Sequence, residues 1–154
     1  MSADHQDRAW EIAEGCHVCF FRTGNQQFPM SAIVRKEEGA IYFLTEAATE
    51  KVNEIKDDLT VELTFSNESA NDYLFIKGSA TITYDPVKVK DLWNQFSAAF
   101  WDKPEDPRIR IITVRPIKAE FWDGPGRFVA ASKMLFAAIS GGKPDLGDHH
   151  ETTM

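Results

Sequence analysis

The stretch AIYFLTEAATEKVNEIK, residues 40–56, changes hydrophobic period in its middle. Ile41 and Phe43 alternate with Tyr42 and Leu44 in a β-rich run, whereas Val52 and Ile55 recur at helical spacing after Thr49. A strand is therefore expected to end near Thr45 and a short helix to begin near Thr49. A helix N-terminus offers unpaired N–H groups and roughly half a positive charge. Here it comes with two threonine hydroxyls and the ammonium of Lys51, a seat suited to a phosphate. On spacing alone the plainer reading stays open beside it, with Thr49 as an N-cap and Lys51 as a solvated first-turn charge.

Upstream of this junction, residues 8–14 read as a short amphipathic helix with Trp10 and Ala13 inward, stopped by a left-handed Gly15. Residues 16–22 and 28–35 read as a β-hairpin about Thr23, Gly24 and Asn25, and a turn at Glu37, Glu38 and Gly39 leads into the 40–45 strand. The first three strands form an antiparallel meander.

Downstream, residues 59–65 (LTVELTF) alternate as a half-buried strand, and residues 73–84 (YLFIKGSATITY) form a long one in which Gly78 marks a bulge or a bend. Asp85 and Pro86 open a helix in which Val89, Leu92, Trp93, Phe96, Ala99 and Phe100 recur at i, i+3, i+4, i+7. Its aromatic stripe reads as the face that covers a sheet rather than as a ligand box. Residues 109–115 alternate again, Pro116 is expected to break the strand before residues 119–122, and residues 128–139 have the composition of a C-terminal helix. About six antiparallel strands interrupted by one long helix predict a closed or partly closed barrel, which leaves few open sheet edges. The expected organisation is one domain over residues 1–140 and a flexible C-terminal tail over residues 141–154.

At 154 residues, 43% of them hydrophobic and 12% aromatic, the chain is that of one folded globular domain. A formal charge of −7 without a basic stripe argues against nucleic-acid binding. No apolar run is long enough to cross a bilayer, and MSADHQDRAW lacks the features of a signal peptide, so a cytoplasmic protein is expected. Cys16 and Cys19 form a CxxC that could pair with each other or share a metal with His149 and His150. Residues three apart in a strand point to opposite faces, which disfavours both. Two inert core or interface thiols are expected, and His17 reads as a packed or interface residue rather than a base. No Ser-His-Asp, Cys-His or paired-carboxylate arrangement follows from spacing.

IYFLTEAATEKVNEI, together with FPMSAIV upstream and EFWD downstream, resembles the flavin-binding split-barrel proteins related to pyridoxamine 5'-phosphate oxidase, and among them the short bacterial general stress protein branch. The likeness spans roughly residues 9–123. It implies a mainly β fold (β+α), a six-stranded antiparallel split β-barrel with flanking helices. It also implies a homodimer that binds FMN at its interface. The FMN phosphate would meet Thr45, Thr49 and Lys51 beyond Phe43 and Leu44, the ring would lie along Met30, Ser31, Ala32 and Ile33, and Trp122, otherwise a core tryptophan, would approach the ring from the other subunit. Relatives often hold an arginine where Phe28 stands, and the larger oxidases a second basic residue where Glu50 stands. Losing charged hydrogen bonds at about 1.5–3 kcal/mol each is expected to weaken FMN by about tenfold or more.

The implied activity is that of a flavin-dependent oxidoreductase on a small redox substrate, in which the cofactor carries the chemistry. The chain lacks the basic C-terminal segment with which pyridoxamine phosphate oxidases grip their substrate, which argues against vitamin B6 oxidation. Two alternatives stay open: a non-enzymatic flavin-binding stress protein, and a split barrel that takes deazaflavin or haem.

Overall fold

The computed structural model describes residues 3–47, 60–124 and 148–154. The helix expected at Thr49 and the one over residues 128–139 lie outside them. A first helix, α1 (Ala3–Glu14), leads into β1 (Val18–Thr23), β2 (Gln26–Ser31), β3 (Ile33–Arg35) and β4 (Ala40–Glu46). Then follow β5 (Thr60–Asn67), β6 (Asp72–Thr83), helix α2 (Pro86–Leu92), β7 (Ile109–Asp123) and β8 (Asp148–Thr153).

The strands form one antiparallel sheet in the order β2-β1-β5-β6-β7-β4-β3, with β8 added on β7. β2 and β3 stand at opposite ends of that order, yet only Ala32 separates them in the chain. The sheet must curl until its two ends nearly meet, and the result is the split barrel. The run at residues 28–35 thus serves two strands rather than one. The β1–β2 ladder runs one rung beyond Ser31, with the Ala32 N–H donating to the His17 carbonyl at 3.0 Å, before the chain passes to β3 and its partner β4.

Period-2 alternation sends Cys19 and Phe21 of β1, Ile41 and Phe43 of β4, and Leu63 and Phe65 of β5 into the barrel. Phe21 and Phe43 meet edge to face at 5.1 Å in its middle. Helix α1 lays Ala9, Trp10, Ile12 and Ala13 on this core. Arg8 ties the helix down through Asp72 at 2.9 Å and Asp123 at 3.0 Å. Gly15 ends α1 by donating to Glu11 O at 3.1 Å without the expected left-handed backbone, since Gly24 and Gly39 are the described glycines with positive φ. Cys16 precedes β1 rather than lying in it, so strand alternation does not separate the two cysteines and both enter the same core. Burial, with Cys16 adjacent, pushes the Cys19 thiol up to about 12, and burial raises Cys16 as well.

The outer face of β4 and β7 carries a second apolar cluster, where Val89 and Leu92 of α2 cover Tyr42, Ile109 and Ile111. Polar contacts fix α2 there. Lys88 donates to Glu38 at 2.6 Å, Tyr42 donates to the same carboxylate at 2.8 Å, and the Lys88 and Tyr42 hydrogen bonds hold Glu38 below the usual range.

Three further expectations are corrected. Pro116 does not break β7. It sits opposite Gly78 at a register shift in the β6–β7 ladder, and there the other edge of β7 passes from β4 to β8, so its missing N–H costs little pairing. A Cβ on Gly78 would stand 2.8 Å from the Arg115 carbonyl, which explains the glycine. The tail from residue 141 ends in a strand: β8 pairs with β7, Thr152 is buried, and Met154 N–H donates to Ile117 O at 3.0 Å. Among the described residues the sheet therefore has eight strands where about six were expected.

The long helix expected over residues 86–100 stops at Leu92, because Trp93 is extended (φ −61°, ψ 132°). Asn94 then starts a separate turn. Its Oδ1 accepts from Phe96 N–H at 2.9 Å and Ser97 N–H at 3.1 Å, while its own N–H donates to Ser97 Oγ at 3.3 Å. Side-chain capping of this kind competes with helix continuation.

Candidate functional site

The turn begun by Asn94 forms one wall of a cleft of about 430 Å³. The opposite wall is β1 and β2, through Val18, Pro29, Met30 and Ser31, and the end of β4 contributes Leu44, Thr45 and Glu46. Ile33, from the short strand paired to β4, completes that side. The volume lies in the range of small-molecule sites, and such sites are mostly apolar with few polar groups.

Of the residues read from the sequence, the fold brings Met30, Ser31, Ile33, Leu44 and Thr45 into this one cleft. Thr45 is buried at the far end of the β4 ladder, beside Arg110 of β7. Ala32 packs against the barrel core instead, and Phe43 faces the barrel interior with no exposure. Trp122 lies away from the cleft lining, 42% exposed on the outward face of β7, where its indole stacks on His149 at 4.7 Å. Thr49 and Lys51 fall outside the described residues.

The sequence reading missed the third wall. Phe96 (37% exposed) and Phe100 (71% exposed) belong to the cleft, and Trp101 (7% exposed) both lines it and joins the cluster under α2. The aromatic stripe is thus divided between sheet cover and cleft wall. The signal for this was Asn94 and Ser97, a cap pair inside an apparently continuous helix. His17 is exposed and its ring lies 5.7 Å from that of Phe96.

Glu46 is the one ionisable side chain among the described lining residues. Beyond it, Ala47 N–H donates to Arg108 O at 2.9 Å, and the Arg108 guanidinium is held by Asp106 at 2.8 Å. Hydrogen bonds from Arg108 draw the Asp106 carboxyl down to about 2. The described cleft walls therefore offer shape, apolar surface and a few neutral donors, and no acid–base pair is found among the described lining residues. Elsewhere, Glu120, His149 and Glu151 gather their donor atoms within 4.8 Å of one another on the β7–β8 face; neither cysteine takes part in this group.

A curled antiparallel sheet whose ends meet at Ala32, with an apolar cleft between β2 and the end of β4, is a split-barrel architecture. Residues 4–145 match the family model for proteins like pyridoxamine 5'-phosphate oxidase, and the chain belongs to that family. It is similar to Protein bli-3 of Neurospora crassa, at 25% identity over 80% of this chain and 64% of that protein's length. Among solved structures, one assigned to general stress protein 26 from Jannaschia sp. CCS1 superposes with a TM-score of 0.83 at 21% identity, over 99% of each chain. The general stress FMN/FAD binding protein from Xanthomonas citri gives a TM-score of 0.68 at 22% identity, over 79% of this chain and 90% of the other. Among the described residues, no helix is long and apolar enough to cross a membrane.

Proposed function

We propose that the chain binds FMN in this cleft, as one half of a homodimer, and acts as a flavin-dependent oxidoreductase on a small molecule. The observation that carries this reading is the convergence of Met30, Ser31, Ile33, Leu44 and Thr45 on one cleft of a size suited to a planar cofactor, in a member of this family. The FMN/FAD binding named for the Xanthomonas citri protein supports it. In this reading the ring lies along residues 30–33, and Thr45, Thr49 and Lys51 hold the phosphate. Val18, Phe20, Tyr73 and Trp122 leave an exposed apolar surface on the outward face of the sheet, and a second copy would cover it.

Bound FMN would supply the electron-pair chemistry that these side chains lack. The chain's own part is to seat the ring between β2 and the 94–101 wall and to keep water from it with Phe96, Phe100 and Val18. Phe28, standing where relatives often hold an arginine, makes the expected affinity modest.

Purified protein should carry, or take up, a yellow chromophore that mass spectrometry identifies as FMN. Thr45→Val combined with Lys51→Ala should then weaken FMN by tenfold or more in a folded protein. Release of haem or a deazaflavin instead would remove the FMN reading. Turnover of reduced nicotinamide by the loaded protein tests the enzyme claim, and a bound flavin that no reductant reaches would leave a flavin-binding protein without that activity.

A further inference from the structure

We propose that the indole N–H of Trp101 donates to a neutral ring carbonyl of the cleft's ligand, which makes Trp101 a positioning residue of the site. This rests on the flavin reading above and adds to it which group reads the ring.

The Trp101 Nε1 is buried and has no hydrogen-bond partner. Buried tryptophan N–H groups almost always find one, and a buried donor left unsatisfied is costly. Packing explains the rest of the side chain, since its ring belongs to the cluster of Tyr42, Val89, Leu92, Ile109 and Ile111. It does not explain the donor. Among the described residues two other buried side-chain polar atoms lack partners, Thr23 Oγ1 and Gln26 Oε1, but neither residue lines the cleft. Trp101 does. The residue that carries the unsatisfied donor is thus part of the cleft wall, and a ligand in the cleft is the candidate acceptor once the buried N–H is uncovered.

The surroundings set the chemical class of that acceptor. The donor is neutral, its wall is apolar, and the ionisable lining group, Glu46, is acidic. Among the described residues of this wall no cation stands beside the indole to receive an anionic oxygen, so a neutral acceptor suits it better. A carbonyl on a flat ring fits the donor, and the Phe96 and Phe100 rings fit the body that carries it. Phe100 is 71% exposed with its centroid 5.9 Å from that of Trp101, so it is the adjoining side chain least held by packing. A rotamer change at Phe100 gives the acceptor its approach.

Such a carbonyl could be part of the flavin ring or of a second flat molecule beside it. Proton–nitrogen correlation spectra of the full chain separate these sources, with the Trp101 indole signal assigned by its loss in Trp101→Phe. Addition of FMN should move that signal downfield, and riboflavin should do the same if the ring alone is read. Movement only when 1,4-naphthoquinone joins the FMN-loaded protein assigns the carbonyl to a second ligand and also supports the proposal. An indole signal that stays in place while the Ser31 and Leu44 amides respond to both ligands overturns it. If no cleft amide responds to FMN, the flavin reading fails, with this one, by a separate signature. Trp101→Phe should weaken the ligand that moves the signal by about five- to tenfold. An unchanged affinity in a folded variant is equally fatal.

Discussion

The two faces of β4 divide the molecule into regions of different kinds. Ile41 and Phe43 point into the barrel, where they meet Phe21 and the other interior side chains with nothing left exposed. Tyr42 and Leu44 point the other way, toward α2 and the cleft, where a phenolic hydroxyl bonds to Glu38 and an indole N–H is left without a partner. The interior is filled mostly by apolar side chains, and its unpartnered Thr23 hydroxyl, on the inward face of β1, does not line the cleft. The outer face leaves part of its chemistry open, which is the condition under which a site can bind something.

The comparison breaks most readily at Phe43. Phe43→Ala should cost about 3–5 kcal/mol in chemical denaturation, and Leu44→Ala, one residue on, less than about 2 kcal/mol with a larger effect on ligand affinity. Equal costs for the two would dissolve the distinction. Gly78→Ala tests whether the barrel bend is as tightly built as the core, since the added methyl meets the Arg115 backbone at 2.8 Å and should cost about 1–3 kcal/mol.

Interior polarity gives a pH signature. Below the ordinary thiol value of 9.0, Cys19 is protonated in both the folded and the unfolded chain, and its contribution to stability is constant. Between 9 and about 12 the unfolded chain ionises and the folded chain does not, so stability falls as pH rises. The loss at pH 10 should be about 1.4 kcal/mol relative to Cys19→Ala, compared as slopes rather than absolute values. A matching slope in the variant would mean that solvent reaches the barrel interior. Smallest in stability is Asn94→Ala, at about 1 kcal/mol for a lost cap, yet it should loosen the cleft wall and reduce FMN affinity several-fold. A variant that binds FMN as the native protein does would take the 94–101 turn out of the site.

Much of the interior was legible in the sequence because period-2 burial leaves a direct imprint. Ile41, Phe43, Leu63 and Phe65 could be placed inward from alternation, and the bulge at Gly78 from a glycine in a long strand. What was not legible depends on partners distant in sequence. Residues 28–35 divide into two strands because their partners, β1 and β4, lie at opposite ends of the sheet order, and Pro116 is tolerated because Gly78 lies opposite. His149 and Thr152 form a strand because β7 has an unfilled edge. For the site, the β2 and β4 contributions were readable through the family pattern. The Asn94 wall was hidden by a helical periodicity that local capping overrides.

β7 is bordered by β6 on one edge and by β4 and then β8 on the other, so it is the seam that joins the β4–β3 end of the sheet to the rest. On a ribosome, residues 40–46 emerge long before residues 109–114, their partners. The nascent β4 must wait with its apolar side chains uncovered, and closure then spans a long loop. Pairing this remote in sequence places refolding in the range of milliseconds to seconds, with the seam as the slow step.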